Sequence, residues 1–222
     1  MSVDYKKAYR TIMDDNFPEH ITIDMGGQVL VFRKQTWKIR DESSGEMVEK
    51  GLRYGGNPGQ RAALYRLING NLVLGDCRFV EAGKGLVSAI TEEDMLQFGK
   101  HPGKINLTDI DNALNILRYL MEKPCAVIVK HNNPCGVAYG SELAEAYERA
   151  NAADRIAAFG GCAAFNRVVD QTAAELISQN YLEVVAAPDY TGPALSLLMK
   201  RPNLRIVRIR AIERLSEYRT VR

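Results

Sequence analysis

In the stretch AVIVKHNNPCGVAYG an apolar run, Ala126 to Val129, delivers Lys130 and His131 side by side and then meets a turn, NNPCG. An imidazole can accept a proton near neutral pH, and an ammonium beside it stabilises an oxyanion. The pair therefore suits proton abstraction next to a developing negative charge. Adjacent strand side chains point to opposite faces, yet the twist at a strand end can present both to one pocket. The same two residues also make an ordinary polar strand terminus.

Two glycine-bearing segments could bind an anion. In LRYGGNPGQ, Gly55 and Gly56 let backbone N–H groups approach closely while Arg53 offers a fork that matches phosphate, although such a loop also serves as a plain turn. It lacks the glycine and lysine spacing of the dinucleotide and P-loop fingerprints. In IAAFGGCAAFNR, Gly160 and Gly161 precede an apolar run and Asn166 and Arg167 follow it; tight packing alone can require those glycines. A strand leading into Pro134-Cys135 invites comparison with the zinc deaminase pattern H-x-E then P-C-x-x-C. No second cysteine follows Cys135 and no glutamate stands two places after His131, so no first metal shell is built and no metal is implied.

The elements that must position these residues alternate from Ala62 onward. TEEDMLQFG reads as a short helix capped by Thr91, and Thr108 as the cap of a helix with Ile110, Ala113, Leu114, Leu117 and Leu120 on one face. AVIVK is a strand buried on both faces, Ser141 caps an amphipathic helix, and GCAAF, EVVAA and LRIVRI are strands separated by helices. This alternation implies an α/β domain with a mostly parallel or mixed sheet covered on both faces, and places function in the loops after AVIVK, GCAAF and EVVAA. Residues 1–50 read as a separate module: a helix near Asp4 to Asp14, then a hairpin in which VLVF and TWKI flank Arg33 to Gln35. Residues 51–222 form the main domain.

With 222 residues and a net charge of +2, the chain is large enough for a real core and too nearly neutral for a polyanion as its main partner. Neither nucleic acid nor a membrane is expected. Arg205, Arg208 and Arg210 interleave with apolar residues as on a strand or an edge, which suits a solvated or partner-facing surface. No run reaches the ~18 apolar residues of a membrane span, MSVDYKKAYRTIMDDNF lacks a secretory apolar stretch, and a cytoplasmic location is expected. Cys77, Cys125, Cys135 and Cys162 show no paired spacing and are expected to be reduced, buried thiols.

Taken in order, LRYGGNPGQ, KHNNPCG, AFGGCAAFNR and EVVAAPDY followed by NLRIV resemble the AICAR transformylase part of the bifunctional purine biosynthesis family (AICAR formyltransferase/IMP cyclohydrolase). The resemblance implies a zinc-free, three-layer fold similar to cytidine deaminases. It also implies transfer of a formyl group from 10-formyltetrahydrofolate, as co-substrate, to the amine of AICAR. His131 would be the base and Lys130 the stabiliser of charge on the formyl oxygen, with Arg53, Tyr54, Asn133, Gly160 and Glu183 as substrate contacts. The family's histidine in NPHQ is Gly59 here. The segment before the Thr108 helix is shorter than the family's, and residues 1–50 do not resemble the cyclohydrolase domain. The resemblance covers the first of two similar halves, so a homo-oligomer or a separate chain is expected to supply the second. A non-catalytic nucleotide-binding subunit and an IMP cyclohydrolase are the other readings.

Overall fold

The computed structural model describes residues 16–41, 44–70, 73–74, 77–78, 90–210 and 212–217. The chain falls into two compact units, Met1–Glu92 with Glu217–Arg222, and Glu93–Ser216. The helix expected near Asp4 to Asp14 lies outside the described residues.

In the first unit, β1 (His20–Met25) and β2 (Gln28–Gln35) form a hairpin across Gly26-Gly27, and β2 also pairs antiparallel with β5 (Leu64–Gly70). Strand β3 (Trp37–Arg40) pairs with β4 (Met47–Lys50), and β6 (Val73–Leu74) with β7 (Cys77–Arg78). VLVF and TWKI are thus neighbours in sequence but belong to different sheets, contrary to the expected hairpin. The physical reason is that each run has a better partner, a Gly-Gly turn for the first and the alternating β4 strand for the second. Trp37 and Ile39 are buried while Lys38 and Arg40 face outward, the period-2 pattern of a one-sided strand.

The second unit is built on a six-stranded mixed sheet in the order β10-β9-β11-β12-β13-β8. Its strands are β8 (Met95–Gln97), β9 (Cys125–Lys130), β10 (Asn133–Tyr139), β11 (Cys162–Phe165), β12 (Val184–Ala187) and β13 (Arg205–Arg208). Helices α1 (Lys104–Leu117), α2 (Leu143–Ala153), α3 (Arg155–Ala158), α4 (Gln171–Ser178) and α5 (Gly192–Leu198) connect them. Ala126, Ile128, Ala163, Phe165, Val185, Ala187 and Ile206 point to one face and pack with α2, α4 and α5. Helix α1 lies against β9 and β11, and its buried Ile110, Leu114 and Leu117 stay out of that cluster, so it covers the opposite face. Burial on both faces explains why β9 reads as an unbroken apolar run.

Several local expectations are corrected. Thr108 is the fifth residue of α1, not its cap: its hydroxyl donates to the Ile105 carbonyl. The helix begins at Lys104 because the Asn106 carboxamide accepts the Gly103 N–H at 3.0 Å, the reach-back of a capping box. TEEDMLQFG yields only a 3₁₀ turn, Glu92–Asp94, before Met95–Gln97 pairs antiparallel with β13. NPCG is strand rather than turn, as β10 runs from Asn133 beside β9 with a bulge between Pro134 and Gly136. Arg205 lies on a strand, β13, but not at the surface expected of it. The strand lies between β12 and β8, and Arg205 is buried.

Candidate functional site

The direction of β9 decides where the site lies. β9 runs antiparallel to β11, whereas β11, β12 and β13 run parallel to one another. The C-terminal end of β9 therefore sits with the N-terminal ends of the other three: Val129 pairs with Cys162, Cys162 with Val184, and Val184 with Arg205. Lys130, His131 and Asn133 thus share one sheet edge with Gly160 before β11 and Glu183 before β12. The loops after GCAAF and EVVAA lie at the opposite edge, which corrects the expectation that they would join the loop after AVIVK.

At that far edge the motif residues tie the fold together. The Asn166 side chain accepts the Cys125 N–H and donates to the carbonyls of Leu120 and Lys123, and Arg167 donates to Met121. Tyr190 of the APDY segment places its hydroxyl 3.0 Å and 2.9 Å from the carbonyls of Val185 and Val207.

β9 and β10 are joined by only two residues, His131 and Asn132, with φ of 52° and 65°. Two successive left-handed residues make the hairpin turn whose twist matches the strands, a conformation that usually selects Asn-Gly. The turn is held from α1. Asp109 Oδ1 accepts the Asn132 N–H at 2.7 Å, and Asn112 Nδ2 donates to Asn132 Oδ1 at 2.8 Å. Asn133 Nδ2 donates to the His131 carbonyl at 2.9 Å. Burial holds the Asp109 carboxyl above the ordinary aspartate range, an effect opposed by the backbone amides of Asn132 and His131 and reinforced by the charge of Glu183.

Lys130 is half-buried, and its Nζ donates to the Phe159 carbonyl at 2.6 Å. The Phe159 ring lies 5.0 Å from that of Tyr181, and Tyr181 accepts the N–H of Gly160 at 2.8 Å through its carbonyl. Gly160 has φ +75°, a backbone state that favours glycine. The Glu183 carboxylate accepts from Asn106 Nδ2 at 3.0 Å and lies 3.6 Å from Arg205 Nη1, whose guanidinium also donates to the His101 carbonyl. Along this end of the sheet stand an imidazole, an ammonium and a carboxylate, with the buried Arg205 guanidinium behind the carboxylate. Such a set can bind a polar substrate and move a proton.

Arg53 and Tyr54 belong to the first unit. Arg53 is 5% exposed and lies 5.3 Å from the centroid of the Tyr54 ring. In the same loop the Gly55 N–H donates to the Gln60 carbonyl and the Asn57 N–H to Gln60 Oε1, so Gln60 closes the glycine loop on itself.

Asn106, Asp109, Asn112 and Arg205 were not singled out by the sequence. The available signal was a polar residue at every third position, with buried Asn106 and Asp109 interrupting the apolar core face of the helix. Arg205, expected on a surface, instead meets Glu183. Arg208 and Arg210 are likewise answered by Asp94, and Arg210 also by Glu93. Among the described residues no helix is long and apolar enough to cross a membrane.

The family model described as the AICARFT/IMPCHase bienzyme matches residues 28–222. Three similar proteins are each described as bifunctional purine biosynthesis protein PurH. That of Sorangium cellulosum is 43% identical over 156 residues, 70% of this chain and 27% of that protein. That of Caldicellulosiruptor saccharolyticus is 34% identical over 209 residues, 94% of this chain and 34% of that protein. That of Rhizobium etli is 41% identical over 232 residues, 90% of this chain and 40% of that protein. The chain thus spans well under half the length of these relatives. Since the match runs through the Lys130–His131 hairpin, the Gly160 turn and the Glu183 strand together, the chain belongs to the AICARFT/IMPCHase bienzyme family.

Proposed function

We propose that the chain acts in purine biosynthesis as the first half of an AICAR transformylase, with a cytidine deaminase-like fold, and that it works as an oligomer or with a chain supplying the second half. The observation that carries this reading is the gathering of Lys130, His131, Asn133, Gly160 and Glu183 at one sheet edge by an antiparallel β9. In the proposed reaction the amine nitrogen of AICAR bonds to the formyl carbon of 10-formyltetrahydrofolate, and the bond from that carbon to N10 breaks. His131 takes the amine proton and returns one proton to N10, leaving formyl-AICAR and tetrahydrofolate. Lys130 stabilises the negative charge that builds on the formyl oxygen. Asn133, Gly160 and Glu183 contact AICAR. Arg53 and Tyr54 enter the proposal as nucleotide contacts on their motif alone.

The oligomer or second chain enters the proposal on the resemblance to one of two similar halves alone. The second reading, a nucleotide-binding subunit without chemistry, is favoured by Gly59 standing where the family's motif has histidine. The test is formyl transfer from 10-formyltetrahydrofolate to AICAR by the purified chain, alone and mixed with a chain carrying the remaining family length. Turnover in either case supports the proposal. AICAR binding without turnover supports the second reading, and neither binding nor turnover overturns both.

A further inference from the structure

The His131–Asn132 turn combines two backbone settings that side chains other than glycine rarely adopt, so something outside the hairpin must hold it. Helix α1 does so at two points, Asp109 Oδ1 on the Asn132 N–H at 2.7 Å and Asn112 Nδ2 on Asn132 Oδ1 at 2.8 Å. One turn earlier on the same stripe, Asn106 holds Glu183 at 3.0 Å. The three side chains stand at successive intervals of three residues, so one rigid helix sets both the turn that carries His131 and the carboxylate of Glu183. Asp109 is 4% exposed, and burying a carboxylate is costly unless hydrogen bonds such as that from the Asn132 amide compensate it. A neutral side chain would satisfy the packing of α1 alone.

We infer that Asp109 is a positioning residue for formyl transfer, clamping the His131–Asn132 turn so that His131 is held in one setting at the end of the sheet that also carries Glu183. The inference rests on the reading of His131 as the base. It separates Asp109 from a purely structural clasp, because the consequence falls on His131 and on turnover rather than on stability alone.

The experiment compares wild type, Asp109→Ala and Asp109→Asn in the full chain. It reads the exchange rate of the Asn132 amide, the imidazole signals of His131 by NMR, and kcat and KM for formyl transfer in the completed system. The chain has three histidines, which makes the His131 signals assignable. Asp109→Ala is expected to deprotect the Asn132 amide, shift or broaden the His131 signals, and lower kcat by about 10²-fold with KM little changed. Asp109→Asn, which keeps an acceptor oxygen, is expected to restore amide protection and much of kcat. Should Asp109→Ala not fold, Asp109→Leu removes the same acceptor while filling the buried volume and is read the same way. Unchanged Asn132 exchange and His131 signals in a folded Asp109→Ala, or in a folded Asp109→Leu if Asp109→Ala does not fold, would overturn the inference. If wild type shows no turnover, the functional reading fails, while the NMR arms still decide whether Asp109 sets His131.

Discussion

His131 and Asn132 carry backbone angles that few residues tolerate, and Asn tolerates them better than any β-branched side chain. Asn132→Val should therefore destabilise the chain by about 2 kcal/mol in urea unfolding, whereas Asn132→Gly should shift it by less than about 1 kcal/mol, the relieved strain offsetting the lost contact with Asn112. The cysteines offer a second residue-scale test. Burial pushes the Cys125 thiol up to about 11 and that of Cys162 well above the ordinary range, while Cys135 is only half-buried. Thiolate is the reactive species, so iodoacetamide under native conditions should label Cys135 well before Cys125 and Cys162, as read by peptide mass spectrometry. Gly59 has no atom within 4 Å of where a Cβ would sit, so Gly59→His should change unfolding free energy by less than about 0.5 kcal/mol.

Among the elements, the strands at the centre of the second sheet were legible because burial on both faces leaves an unbroken apolar run, as in CAVIVK. The hairpin β9–β10 was not. NPCG has turn-like composition, yet Pro134 and Gly136 lie in an edge strand, where Pro is tolerated and a bulge absorbs the irregularity. Gly136 is there for another reason, since a Cβ at this position would lie 1.8 Å from the Ala150 carbonyl of α2. Gly136→Ala must push β10 away from α2 and should destabilise by about 3 kcal/mol, measured by urea unfolding. The helix stripe Asn106, Asp109, Asn112 is not legible in the sequence because its partners, the Asn132 amide and Glu183, are remote in sequence and are defined only once the sheet order is known.

At the scale of the molecule, alternation of strands and helices showed an α/β chain, but periodicity carries no information on strand direction. The antiparallel placement of β9 against β11 is what moves Lys130 and His131 away from the loops after GCAAF and EVVAA and toward Gly160 and Glu183. The candidate residues could be named from the sequence, whereas their common edge follows from topology. Three of the four motifs divide accordingly: KH, FGG and the acid before VVAA lie at one end of the sheet, while NR and the tyrosine of APDY clamp the opposite one. The near-neutral charge of +2 agrees with a small ligand met by a few local groups. The central claim is that His131 is the base of a formyl transfer, and the most direct measurement pairs AICAR calorimetry with turnover for wild type and His131→Ala in the completed system. The expected result is loss of turnover by about 10² or more with AICAR affinity largely kept. Equal turnover in the two proteins would contradict it.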